Sequence, residues 1–131
     1  MSLIAFEHAG IAVGDLDRSI AFYCDLLGLR LVLRKSNVAF LEAPGGMLEL
    51  FHTPGAKGAV DVPPGTAGIR HVTFAFSDVD GLVERLEVAG VEIIERPRDA
   101  YNIEVIRRVA FCRDPDGVQV ELIERAEGRQ P

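Results

Sequence analysis

Cysteine is scarce: Cys24 and Cys112 are the only two in 131 residues, too few for a disulfide framework and too far apart for a CxxC pair. No apolar run approaches the ~18–20 residues that would cross a bilayer as a helix. Positive charge is also in short supply. Fourteen Lys and Arg against 20 Asp and Glu leave a net charge of −6, so no general nucleic-acid surface is expected. The N-terminus has neither a basic stretch nor a long apolar one, and no signal peptide is expected. With two reduced, partly buried thiols, these absences point to a cytoplasmic protein. Histidine is rare as well, and any imidazole chemistry must draw on His8, His52 or His71.

What is present is an ordinary globular composition, 48% apolar and 26% charged, in a length of about one domain. Within it the chain writes one unit twice. "FEHAGIAVGDLDRSIAFY" (6–23) is echoed by "RHVTFAFSDVDGLVERL" (70–86), with His8 on His71, Asp15 on Asp78 and Asp17 on Asp80. "LLGLRLV" (26–32) matches "VAGVEII" (88–94), aligning Gly28 with Gly90, and "LELF" (48–51) matches "VELI" (120–123), aligning Glu49 with Glu121. The His-to-Glu spacing is roughly nine residues longer in the second copy, an excess that falls in the region of "RPRDAYNIEVIRR".

Each copy predicts strand, helix and then three strands. In the first, residues 4–13 are extended, and Asp15 or Asp17 caps a helix over about 17–27. Ile20, Tyr23 and Leu27 form its apolar stripe, with the Tyr23 hydroxyl needing a partner. Gly28 ends the helix, and strands follow at 29–35, 38–43 and 46–52. In the second, a strand at 70–76 precedes a helix at about 80–89, with strands near 91–95, 105–112 and 118–124. "RDPDG" (113–117) is a turn. The organisation expected is a first module at 1–52, a Pro/Gly-rich linker at 53–68, a second module at 69–125 and a loose polar tail at 126–131, within a single domain.

Strand alternation places His8 opposite the apolar set Ala9, Ile11 and Val13, and His71 opposite Val72, Phe74 and Phe76. Glu49 and Glu121 oppose their buried neighbours Leu48, Leu50, Val120 and Leu122 in the same way. Small residues accompany the histidines, as a concave cavity requires. A core rarely accepts two unpartnered carboxylates, so two His and two Glu on one kind of face are chemically consistent only if paired or sharing a cation. Imidazole nitrogen and carboxylate oxygen suit Zn, Ni, Mn, Fe or Co. Taken singly, such a His or Glu is most often a satisfied or solvent-facing residue; it is the repetition that argues for a site. His52 is expected at the surface, and Glu42, which has no repeat partner, is a weak candidate for a cavity wall.

The stretches "HAGIAVGDLDRSIAFYCDLLGL", "LELF", "RHVTFAFSDVDGLVERLEVAGV" and "DPDGVQVELIE" resemble the vicinal oxygen chelate (glyoxalase/bleomycin resistance/dioxygenase) superfamily over nearly the whole chain. The resemblance implies an α+β fold of two tandem βαβββ modules, whose curved mixed sheets surround a metal-binding cavity. Members similar to glyoxalase I use His, Glu, His and Glu, matched here by His8, Glu49, His71 and Glu121. That set implies a divalent-metal-dependent enzyme moving a proton next to a carbonyl, lactoylglutathione-lyase-like or acyl-CoA-epimerase-like, with Glu121 as first candidate for the base and Glu49 as second. The resemblance also implies a small-molecule substrate and a homodimer, with the site within one chain or across two.

Two features depart from the glyoxalase pattern. Ala12 stands where bacterial glyoxalase I has an arginine that helps hold glutathione, and "LFHTPGAKG" looks more like an epimerase loop. An Fe(II) ring-cleaving extradiol-type dioxygenase and a non-catalytic drug- or metabolite-binding protein are the alternatives. The insert residues Arg96, Arg98, Tyr101, Arg107 and Arg108 could contact an anionic substrate or form a solvated hairpin.

Overall fold

The computed structural model describes residues 1–128. They fall into two compact units, one spanning Met1–Lys57 and the other beginning at Gly58.

The first unit runs β1 (His8–Val13), α1 (Leu16–Ile20) with a π-helical continuation over Ala21–Leu26, then β2 (Arg30–Arg34), β3 (Val38–Ala43) and β4 (Gly46–His52). Its four strands lie in the order β1-β4-β3-β2, with β1 parallel to β4 and the other pairs antiparallel. The second unit repeats this with β5 (Val72–Ala75), α2 (Val79–Val88), β6 (Ile93–Asp99), β7 (Ile106–Arg113) and β8 (Gln119–Arg125), in the sheet order β5-β8-β7-β6. Each unit is thus a βαβββ module around a mixed sheet, the α+β architecture expected.

The helix starts follow from the Asp-x-Asp pairs. The first Asp of each is the cap: Asp15 accepts from the Arg18 N–H and Asp78 from the Gly81 N–H, both at 3.0 Å. The second Asp instead meets an arginine, Asp17 with Arg34 and Asp80 with Arg108. Gly28 and Gly90, both at positive φ, close the helices. Val79, Leu82, Val83 and Leu86 of α2 are buried, as are Leu48 and Leu50 of β4 and Val120 and Leu122 of β8. Each such burial contributes about 1.5–3 kcal/mol.

Several boundaries differ from the sequence expectation. β1 begins at His8, not residue 4, because its partner β4 begins at Gly46; the Met47 N–H reaches Glu7 O, and the exposed Leu3, Ile4 and Phe6 lie beyond the ladder. β5 is also shorter than expected, and His71 stands one residue ahead of it. The first helix widens into its π segment, where the Leu27 N–H bonds Phe22 O. The wider turn buries Phe22 beside the fully buried Tyr23, and Ile20, expected on the stripe, is only half-buried.

β6 extends to Asp99 rather than ending near 95, taking Pro97 into an edge strand where its missing N–H costs no ladder bond. Glu95 pairs with Phe111 and Arg98 with Val109, so β6 is bulged there and absorbs part of the longer repeat. The segment after β4 is anchored at its far end. The Ala59 N–H donates to Asp116 O at 2.8 Å, and Arg113 donates to both Asp61 oxygens at 3.0 and 2.9 Å. Of the expected loose tail, Ala126 is buried and its N–H donates to Val105 O, while 129–131 lie outside the described residues. No helix among the described residues is long and apolar enough to cross a membrane.

Candidate functional site

Parallel pairing of β1 with β4 sets Gly10 opposite Glu49, so His8, two residues upstream, shares the face of the carboxylate. Its Nε2 lies 3.3 Å from Glu49 Oε1. In the second module β5 and β8 set Thr73 opposite Glu121, and His71 Nε2 lies 3.3 Å from Glu121 Oε1. The same pair of donor atoms is therefore built twice at the same distance. Both imidazoles are about one-third exposed and both carboxylates less, 19% for Glu49 and 14% for Glu121. Each pair is shielded but open on one side.

A phenylalanine supports each histidine. Phe40, opposite Glu49 on β3, stands edge-on to His8 at 5.8 Å; Phe111, opposite Glu121 on β7, stands edge-on to His71 at 5.4 Å, with an interplanar angle of 79° in both. These two rings are neighbours of the candidate ligands that the repeat motifs above missed. The signal was in the chain: "VAF" occurs at 38–40 and again at 109–111, an offset of 71, one short of the 72 that aligns the two glutamates.

The surroundings of the two pairs differ. Thr73 Oγ1 donates to Glu121 Oε1 at 2.7 Å. The equivalent Gly10 offers Glu49 no hydroxyl, and a Cβ there would sit 2.8 Å from the Phe51 ring. Glu7 Oε1 lies 3.6 Å from His8 Nδ1, an electrostatic neighbour beyond hydrogen-bond range, whereas Arg70 precedes His71 in the chain.

Other candidates resolve differently. His52 is exposed at the end of β4, and Glu42 is bound by Arg30 at 2.6 Å on the edge pair of its sheet. Three insert arginines are committed to carboxylates: Arg96 to Glu87, Arg107 to Glu124, and Arg108 to Asp80 and Asp99. Asp78, Asp80 and Glu124 bring donor oxygens within 4.8 Å of one another. Asp78 caps α2, Glu124 accepts from the Val79 N–H and from Arg107, and Asp80 accepts from Arg108, so this cluster serves the helix N-terminus. Both cysteines are free; burial pushes the Cys112 thiol up to about 12, and burial with Asp25 nearby raises Cys24.

Residues 5–122 match the model of the Glyoxalase/Bleomycin resistance protein/Dioxygenase superfamily. The chain belongs to this superfamily. It is 30% identical to a probable lactoylglutathione lyase of Synechocystis, covering 89% of this chain and 92% of that one. It is 29% identical to a probable lactoylglutathione lyase of Vibrio cholerae, covering 92% and 90%. Among solved structures, glyoxalase I from Zea mays superposes with a TM-score of 0.74 at 31% identity, over 95% of this chain and 46% of the maize chain. By this kinship the chain is a glyoxalase-like lyase of the superfamily.

Proposed function

We propose that the protein is a divalent-metal-dependent lyase that moves a proton next to the carbonyl of a small oxygenated substrate, with His8, Glu49, His71 and Glu121 as the metal ligands. The observation that carries this reading is the repeated 3.3 Å approach of a histidine Nε2 to a glutamate Oε1. Two donors each about 2.0–2.2 Å from one ion stand roughly 3.0–3.4 Å apart, so each pair suits two positions of one coordination sphere. Nitrogen and oxygen donors of this kind suit Zn, Ni, Mn, Co or Fe. When bound, the ion supplies Lewis-acid stabilisation of charge developing on substrate oxygen.

The chain's own residues divide the remaining work. Thr73 ties Glu121 Oε1 and makes it the fixed carboxylate. Glu49, opposite Gly10 and without a hydroxyl partner there, is the one placed to accept the proton at a carboxylate oxygen and return it. The resemblance ranks Glu121 first; the Thr73 bond favours reversing that order. Phe40 and Phe111 stand edge-on to the imidazoles and hold their planes.

The relatives' names favour a hemithioacetal-type substrate, whereas Ala12 argues against the glutathione contact that glyoxalase I makes with arginine at this place. A homodimer in the cytoplasm is part of the same proposal. Metal analysis by mass spectrometry, joined to an assay panel of hemithioacetals, acyl-CoA epimers and catechols, tests it. About one divalent ion per four-ligand set and turnover of a carbonyl substrate are expected. Oxygen uptake with catechols, or tight ligand binding without turnover, would overturn it.

A further inference from the structure

Among the insert arginines, Arg98 is differently placed. The bulge in β6 sets Glu95 opposite Phe111 and Arg98 opposite Val109. Phe111 and Val109 are two residues apart on β7 and share a face, so Glu95 and Arg98 both project from it. This is the face of the site: Phe111 is opposite Glu121 and its ring meets His71. Without the bulge, residues three apart on a strand would point to opposite sides.

The Arg98 guanidinium is held but not used up. Its Nε donates to Glu95 Oε1, Nη1 donates to Asp99 O at 3.1 Å, and the group lies 4.4 Å over the Tyr101 ring. Nη2 has no hydrogen-bond partner among the described residues. The Glu95 bond raises the Arg98 pKa most, burial opposes it, and the charges of Glu95, Tyr101 and Glu121 add to the rise. β6 is two strand steps from β8, about 10 Å at the usual spacing. A flat cation fixed by stacking and a carboxylate, with one amino group left over, is a preorganised oxyanion receptor.

We propose that Arg98, set on the His71–Glu121 face by the β6 bulge and stacked on Tyr101, anchors an anionic group of the substrate, a carboxylate or phosphate. The substrate class is then a small carbonyl compound bearing an oxyanion several bonds from its reacting carbon. This rests on the metal-site reading above.

The test compares acetohydroxamate with hydroxamates carrying a terminal carboxylate or phosphate within about 10 Å, titrated calorimetrically into the zinc-loaded protein. In the unaltered protein one of the tails should tighten binding about 10- to 100-fold, and the tail held better identifies the anion. In Arg98→Ala that gain should vanish while acetohydroxamate binds as before. Glu95→Gln, which frees Nε, should enlarge the gain and gives a second reading if Arg98→Ala fails to fold. No gain in the unaltered protein, an undiminished gain in Arg98→Ala, or loss of the gain in Glu95→Gln overturns the role of Arg98. If acetohydroxamate binds neither protein, the metal reading itself fails.

Discussion

The two modules place the same His–Glu pair at the same 3.3 Å and then treat its carboxylate differently. In the second module Thr73 donates a hydrogen bond to Glu121. In the first, the Phe51 ring occupies the space that a side chain at Gly10 would need. The neighbours along the chain also have opposite signs, Glu7 before His8 and Arg70 before His71. A duplicated unit therefore keeps the His–Glu donor pair and varies the groups around it. In the proposed mechanism that division gives the two copies different roles, Glu121 as the fixed carboxylate and Glu49 as the proton carrier.

The comparison can be broken most forcefully at the shared atoms. The double change His8→Ala with His71→Ala should abolish metal content measured by mass spectrometry, and each single change should weaken binding by more than about 100-fold, beyond what loss of an orienting partner costs. Unchanged metal content in the double variant would sink the site.

The carboxylates should then part company. Glu49→Gln should lower turnover and solvent-proton exchange by roughly 10²–10⁴-fold, while Glu121→Gln should act chiefly through metal affinity. Proton exchange retained in Glu49→Gln and lost in Glu121→Gln would restore the order implied by the resemblance.

Thr73→Val removes the hydroxyl at nearly constant volume and should lower metal affinity roughly 10–100-fold, as expected for a group that orients a ligand. Gly10→Ala acts on stability instead: the added Cβ meets the half-exposed Phe51 ring, which can turn aside, so denaturant unfolding should shift by less than about 1 kcal/mol, and a larger loss would show the ring to be fixed.

The smallest effect concerns the segments ahead of the modules. Residues before β1 are exposed, whereas Asp61, ahead of β5, is gripped by Arg113. Hydrogen bonds from Arg113 and Gln119 hold the Asp61 carboxyl down at about 2 from its usual 3.8. A depressed folded pKa stabilises above the unfolded value and loses that contribution as pH falls, here between about pH 4 and pH 2. Asp61→Asn should flatten that part of the stability-versus-pH curve slightly, and an unchanged curve would show the pair to be inert.

Much of the module plan was legible because an internal repeat is read by aligning residues, and alignment needs no coordinates. His8, Glu49, His71 and Glu121 came from it, and Phe40 and Phe111 were within its reach through the repeated "VAF". The π-helical widening at Ala21–Leu26 was not legible, since Ile20, Tyr23 and Leu27 satisfy the spacing of an ordinary helix. Nor was the β6 bulge, because periodicity assigns faces only while the register stays regular. Arg98 looked like one of four similar arginines until that shift was known.

The sequence by itself determined the plan of two modules and the four candidate ligands, since these depend on local spacing and on which residue types a face can hold; it left the first cap open between Asp15 and Asp17. Only the tertiary structure decided that Thr73 bonds Glu121, that Phe51 fills the space over Gly10 and that Arg98, opposite Val109, projects from the face that carries Phe111. Those facts depend on which strand lies beside which and in what register, and cross-strand distances are set by folding the chain, not by positions along it.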